Sequence, residues 1–239
     1  MNQGTYPLAA SMINQVNRLD QISNNLANIN TNGFKQEGTT ETTFNYYLQK
    51  AQEESTVPTK INTVTNNIPK IDSKFISGQM GSLAVTGNAL DFALNSPDTF
   101  FKIQNSNGDI VYTRDGSFKN VDNFLVDGNG NNVLNADNGP ITIGEEDISS
   151  QLGVAKTPYN NLEKIGDNTY SAKNPNQVQI IDDNDNQIVS GAVEKSNVNS
   201  VSAMVELIDA NRRFEQAQKA AKSIDDLNAS VIDKIGTTR

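Results

Sequence analysis

The chain has 239 residues, enough for one large domain or two smaller ones, and it contains no histidine, cysteine or tryptophan. Those gaps exclude Ser-His-Asp and Cys-His catalysis, histidine zinc sites and disulfides. The formal charge of -9 argues against a nucleic-acid partner. No apolar run approaches the ~20 residues that span a bilayer. The opening MNQGTYPLAASMINQ has neither a basic start nor a continuous apolar stretch, unlike a general secretory signal.

Charge is unevenly placed. Residues 1–35 hold Arg18, Lys35 and Asp20, net +1, and residues 198–239 balance six basic against six acidic side chains. Residues 36–197 carry 11 basic against 21 acidic, net -10. Near-neutral ends suit packing against protein, and an acidic middle suits water.

The first predicted element is a helix. Met12, Val16, Leu19, Ile22, Leu26 and Ile29 step by three and four, the rhythm of one buried helical face. Thr5 is placed to cap it, Pro7 suits its first turn, and Gly33 suits the left-handed position that ends a helix, with Ile29 and Phe34 in contact across the stop. Asparagines 24, 25, 28, 30 and 32 crowd this end, although asparagine is a mediocre helix former. From residue 37 to 71 the chain is polar and reads as an extended connector, with a short helix near FNYYLQKAQ.

Residues 72–197 read as an all-β domain of meandering hairpins. SLAVTG, ALDFAL, FFKIQ, DIVYTR, NFLVD, NVLN, QVQII and QIVSGAV are its strands, and NSNGD, DGNGN, ADNGP and DDNDN are its turns. The last segment, 198–239, is a long helix. Leu207, Ala210, Phe214, Ala217, Ala221, Ile224, Asn228, Val231 and Ile235 form a coiled-coil-like seam, with Asn199 at its entry and Gly236 at its end. The predicted fold is therefore α+β, with N- and C-terminal helices (1–36 and 198–239) pairing as a coiled-coil-like layer around a connector (37–71) and a central all-β domain. Met204, Val205 and Ile208 beside the seam, and Leu8, Ile13 and Val16 on the first helix, leave apolar surface over. Periodicity leaves open whether the helices form a self-contained hairpin or complete their core against other subunits.

Candidate sites are few. An EF-hand loop counted from Asp127 has Asn132 and Asn138 where Gly and Glu are required, and one counted from Asp182 has Gln187 and Val193. Both read as hairpin turns. The pairs Asp182–Asp183 and Glu145–Glu146 fall in predicted turns rather than a cleft, and no phosphate-cradling GK[ST] loop is present. Arg212 and Arg213 point about 100° apart on a helix, so they cannot clamp one anion. Arg213 is placed to pair with Asp209, and a cross-subunit pair is the alternative.

Three blocks resemble the flagellar rod, hook and hook-associated protein family. SNNLANINTNGFK matches the N-terminal signature at Asn24, Asn25, Leu26, Ala27, Asn28, Thr31, Gly33 and Phe34, with Ser23 in place of the usual Ala. GNALDFALNSPDTFFKI and YTRDGSF match the central block at Leu90, Asp91, Ala93, Phe100, Phe101, Tyr112, Thr113, Arg114, Asp115, Gly116 and Phe118. Asp98-Thr99 replaces the usual glycines, which puts the shape of that turn in question. GAVEKSNVNS matches the entry to the last helix at Gly191, Glu194, Ser196, Asn197, Val198 and Asn199.

The resemblance implies a structural subunit of the bacterial basal-body rod, without catalytic residues, cofactor, metal or small-molecule substrate. Such a subunit is exported through the flagellar secretion channel and sits in the periplasmic rod. Its partners are itself, other rod proteins and the flagellar export apparatus. The RRFE at 212–215 and Asp225-Asp226 favour a proximal-rod member over a distal-rod one, and the chain is too short for a typical hook protein. The implied subunit interface holds Leu19, Ile22, Asn24, Asn25, Leu26, Asn28 and Ile29 on the first helix. On the last it holds Leu207, Phe214, Ala217, Ala221, Ile224 and Val231. Asn24, Asn25 and Asn28 would link neighbours through their amides without adding charge. An adhesin-like binding module with a helical stalk is the reading from a different class; it would carry a secretory signal or an anchor.

Overall fold

A computed structural model describes residues 5–43, 69–144, 147–166, 168–181 and 187–236. The helix expected near FNYYLQKAQ, the DDNDN turn with Asp182–Asp183, and the Glu145–Glu146 pair lie outside the described residues. The chain divides into a helical unit of residues 1–26, 37–75 and 200–239 and a β unit of residues 27–36 and 76–199.

In the helical unit, α1 spans Thr5–Ala27 and α2 spans Ser200–Gly236. At a ~1.5 Å rise per residue, α2 is about 55 Å long. Between Met204 and Ser230 its buried or half-buried residues are Leu207, Ala210, Phe214, Ala217, Ala221, Ile224 and Asn228, and every other residue is exposed. That is the seam read from the spacing, and buried Ala203 extends it towards the N-terminus. Ala203, Ala210 and Ala217 recur at seven-residue intervals, so small side chains mark one stripe where another backbone can approach.

Two differences appear around α1. It ends at Ala27, earlier than the stop expected at Gly33. Thr31 competes for the chain there: its N–H donates to Asn28 O (3.2 Å) and its hydroxyl to Asn28 Oδ1 (3.1 Å), local bonds that replace helical ones. The connector is also more ordered at its ends than its composition suggests. β1 (Glu37–Thr43) and β2 (Pro69–Ile76) pair as a two-stranded sheet. Glu37 O accepts from Gln21 Nε2 and Asn25 Nδ2, and Glu37 N donates to Asn25 Oδ1 (3.0 Å), which ties β1 to the last turns of α1.

The β unit contains β3 (Leu83–Val85), β4 (Phe92–Leu94), β5 (Thr99–Gln104), β6 (Ile110–Thr113), β7 (Lys119–Val121), β8 (Phe124–Val126) and β9 (Asn132–Val133). A helical turn at Ile148–Gln151 follows. Then come β10 (Val154–Lys156), β11 (Leu162–Gly166), β12 (Thr169–Ala172), β13 (Gln179–Ile181), β14 (Ile188–Ser190) and β15 (Ala192–Glu194). The main sheet has nine strands in the order β11-β12-β6-β5-β9-β8-β7, with β10 joining β5 to β13. β14 pairs with β4, and β15 with β3.

Central β5 organises the unit. Successive strand residues face opposite ways, so adjacent Phe100 and Phe101 enter different cores. Phe101 packs with Phe92, Ile103, Phe118, Leu125 and Val154; Phe100 packs with Leu162 and Tyr170. The expected glycine-rich turns are present. In DGNGN, Asp127 accepts from Asn129 N, Asn131 N and Asn131 Nδ2, so its carboxylate serves the turn itself.

Candidate functional site

Three segments far apart in sequence meet in the β unit. The first, residues 31–36, follows α1. Its Gly33 has φ +67°, and a Cβ there would lie 2.3 Å from Arg114 C and 2.4 Å from Asp115 N. Glycine is therefore required twice over, for a left-handed backbone and for close approach to a neighbouring loop; it is not the helix-ending residue expected. The second segment is the Arg114–Gly116 loop after β6. The third, residues 192–199, runs from β15 into the helix that follows.

Lys35, Arg114 and Glu194 form the centre, each 1 % exposed. Lys35 Nζ lies 2.7 Å from Glu194 Oε1, and Arg114 reaches Glu194 Oε2 through both Nε (2.8 Å) and Nη2. One carboxylate thus serves two cations. The remaining bonds come from the backbone. Lys35 donates to Gln79 O (2.8 Å), Arg114 Nη1 to Ser96 O and Thr99 O (2.6 Å each), and Gly81 N donates to Glu194 Oε1 (2.7 Å). A Cβ on Gly81 would stand 1.8 Å from Lys195 O, so only glycine brings its amide to the carboxylate.

Burial lowers the Lys35 pKa, the attraction of Glu194 opposes that shift, and the nearby Arg114 charge adds to it. Buried ion pairs return little net stability against desolvation, but removing one partner strands a charge at a cost of about 3–5 kcal/mol. The triad therefore enforces one arrangement of its three segments more than it adds stability. Thr99 takes part through its carbonyl, while its hydroxyl donates to Ser96 O (2.9 Å), so the Asp98-Thr99 departure is absorbed into the Arg114 site.

Polar bonds spread outward from the triad. Gly33 N donates to Glu194 O (2.7 Å), Gln36 N to Asn197 Oδ1 (2.7 Å) and Asn197 N to Phe34 O (3.3 Å). Lys195 Nζ reaches Asn32 Oδ1 (2.9 Å), and Asn168 Nδ2 donates to Asn32 O (2.9 Å). Phe34 is buried, with Lys164 Nζ 4.4 Å from its ring centre. Burial pushes the Asp115 carboxyl up, against the bonds it accepts from Ser117 N and Oγ; Asp127 and Asp91 push it further up.

The structure gathers most of the motif residues read from the sequence. Gly33 and Phe34 join Arg114, Asp115, Asn197 and buried Val198 around the triad. Thr113 accepts from Asp115 N and donates to Asn168 O. Tyr112 lines the core around Phe100. Ser196 Oγ accepts from Val198 N, Gly116 backs onto Phe92 O, and Asn199 precedes α2. Thr31 sets the preceding turn. Sequence reading quoted Lys35 and Glu194 within the blocks but gave them no role. The signal that marks Lys35 is an ionisable residue inside an otherwise uncharged signature; Glu194 carries no such mark, because Lys195 follows it directly.

The interface residues fall elsewhere. Leu19, Ile22, Leu26 and Ile29, with Leu207, Phe214, Ala217, Ala221 and Ile224, are buried or half-buried within the chain itself. Asn25 is buried and turns both ends of its amide to Glu37 of its own chain. Asn24 is exposed and Asn28 half-buried, and the Val231 side chain lies outside the described residues. Arg213 pairs with Asp209 on the helix surface at 2.8 Å, with both side chains more than half exposed.

A β unit locked by a buried ionic triad, and a helical unit with apolar side chains left on its helix surfaces, define a structural protein built for assembly. Residues 9–35 match the family described as flagella basal body rod protein, residues 96–157 the flagellar hook protein FlgE/F/G D1 domain, and residues 189–234 the flagellar basal body rod FlgEFG protein C-terminal. Each matched stretch contributes one member of the triad. The chain is 32% identical to the flagellar basal-body rod protein FlgF of Caulobacter vibrioides, over 91% of each chain. It is 28% identical to FlgF of Rhizobium meliloti over the whole of both. It is 29% identical to the rod protein FlgG of Buchnera aphidicola subsp. Schizaphis graminum, over 89% of this chain and 92% of that one. The chain belongs to the flagellar basal-body rod protein family, structural subunits of the periplasmic rod.

Proposed function

We propose that this chain is a rod subunit of the FlgF type that joins the rod through its terminal helices and has no catalytic role. The observation that carries the assembly mode is an open stripe on α2. Val201 (70 %), Met204 (51 %), Val205 (61 %) and Ile208 (52 %) follow i, i+3, i+4, i+7 spacing and are all exposed. Ile13 and Val16 are likewise exposed on α1. In this reading the sheltered seam from Leu207 to Ile224 is the coiled-coil-like inner layer, shared with α1. The open stripe meets helices of neighbouring subunits, with Asn24 and Asn28 supplying uncharged polar links at the same interfaces.

Assembly with other rod proteins and passage through the flagellar export apparatus follow from the same reading. The FlgF assignment over the distal-rod FlgG rests on Asn211-Arg212-Arg213-Phe214 and Asp225-Asp226. Complementation separates them: the chain restores rod completion in cells lacking FlgF and not in cells lacking FlgG. The Met204→Lys/Ile208→Lys variant changes monomer stability by no more than about 0.5 kcal/mol, as surface substitutions do, yet fails to complete the rod. Full motility with that variant contradicts the assembly mode.

A further inference from the structure

The triad is unequal in a way that gives its three segments an order. Glu194 is the shared counter-ion of Lys35 and Arg114. Without Lys35, Arg114 and Glu194 still form a two-point pair, with Gly81 N on the carboxylate and three backbone carbonyls on the guanidinium. Without Glu194, two cations face each other in a buried site, and Lys35 is the one to leave, since it keeps Gln79 O as acceptor while three backbone carbonyls hold Arg114. The other bonds lean the same way. Gly33 and Gln36 donate to residues 194 and 197, Phe34 accepts from residue 197 and Asn32 from Lys195, while Ser77, Gln79 and Asn168 bond residues 32–36 from elsewhere in the β unit. The C-terminal segment thus supplies the larger part of the platform on which the N-terminal one rests.

We propose that the triad is a one-way latch: residues 27–36 dock on the β unit only after residues 192–199 are in place, while residues 192–199 dock without them. Two contacts of the C-terminal segment make this possible, since neither involves residues 27–36. β15 pairs with β3, placing Val193 opposite Ala84, and Lys195 N donates to Ser82 O (2.9 Å). The latch thus fixes residues 27–36 only in a chain whose residues 192–199 have docked. This goes beyond the rod assignment and does not rest on it.

Amide hydrogen exchange on the full-length chain tests the latch. Glu194→Gln speeds exchange at Gly33 and Gln36 by about tenfold or more, the effect of losing a buried partner charge. Lys35→Met leaves exchange at Val193 and Lys195 within about threefold of the parent. Where Glu194→Gln lowers overall folding, the second arm reads the same coupling by sign. Lys35→Met lowers the Tm of the parent, but raises it in the Glu194→Gln background by removing the stranded cation. Equal loosening of both segments by either substitution, unchanged exchange at Gly33 and Gln36 in Glu194→Gln, or a Tm lowered further in the double variant overturns the proposal.

Discussion

The β unit and the helical unit treat their side chains in opposite ways. In the β unit even charges are buried, and Lys35, Arg114 and Glu194 find every partner within it. In the helical unit the Asp209–Arg213 ion pair of α2 stands in water, and four apolar residues of one stripe are exposed on the same helix. Buried charge demands one geometry, because displacement leaves it unpaired. Exposed apolar stripes have no single geometry until something covers them. The comparison describes a finished unit joined to an unfinished one, which is what a subunit needs if its shape is set before assembly and its contacts during it.

The largest effect is expected where the finished unit is broken. Arg114→Met leaves Lys35 and Glu194 paired but strands Thr99 O and Ser96 O, and should cost the β unit about 3–5 kcal/mol in urea unfolding. A loss below about 1 kcal/mol would show that the triad is solvated rather than buried. A smaller loss is expected at the edge of the helical unit. Asn25→Ala removes two bonds to Glu37 and should cost about 1–2 kcal/mol, although alanine is the better helix former. The loss belongs to the attachment of β1, so exchange should quicken at Glu37 N while α1 keeps its helicity. Unchanged exchange there returns Asn25 to the cross-subunit role expected from sequence.

The smallest effect concerns Asp115, and its sign depends on pH. A carboxyl whose folded pKa lies above its unfolded value of 3.8 costs stability when ionised, and that cost vanishes as pH falls below the unfolded value. Asp115→Asn keeps an oxygen for Ser117 N and removes the charge. It should be the more stable chain at pH 7, with the advantage shrinking to nothing in acid. Greater stability of the parent at pH 7 would mean that Asp115 has a cationic partner.

Legibility followed the range of the forces. The seam from Leu207 to Asn228 was readable because one helix writes its buried face at steps of three and four. β5 and β6 were readable because FFKIQ and DIVYTR sit between strong turns. β7 (KNV), β11 (LEKIG) and β12 (TYSA) were not, because polar residues interrupt them and their pairing, not their pattern, makes them strands. Threonine-rich β1 was hidden likewise. The triad was beyond local reading: Lys35 finds Glu194 159 positions away and Arg114 finds it 80 positions away. The motif blocks were visible, but only the fold shows that they are one site.

The central claim is that the two units differ in completeness, and hydrogen exchange on dilute, unassembled chain compared with assembled rod tests it most directly. The account predicts slow exchange at β5 and at Gly33 in both states, because their partners lie within the β unit. It predicts exchange along α2 from Val201 to Leu227 that is faster than in β5 by at least about tenfold in dilute chain and slows on assembly, since an isolated amphipathic helix is marginal in water. Protection of α2 equal to that of β5 in the dilute monomer, unchanged on assembly, would contradict the account and make the helices a self-contained hairpin.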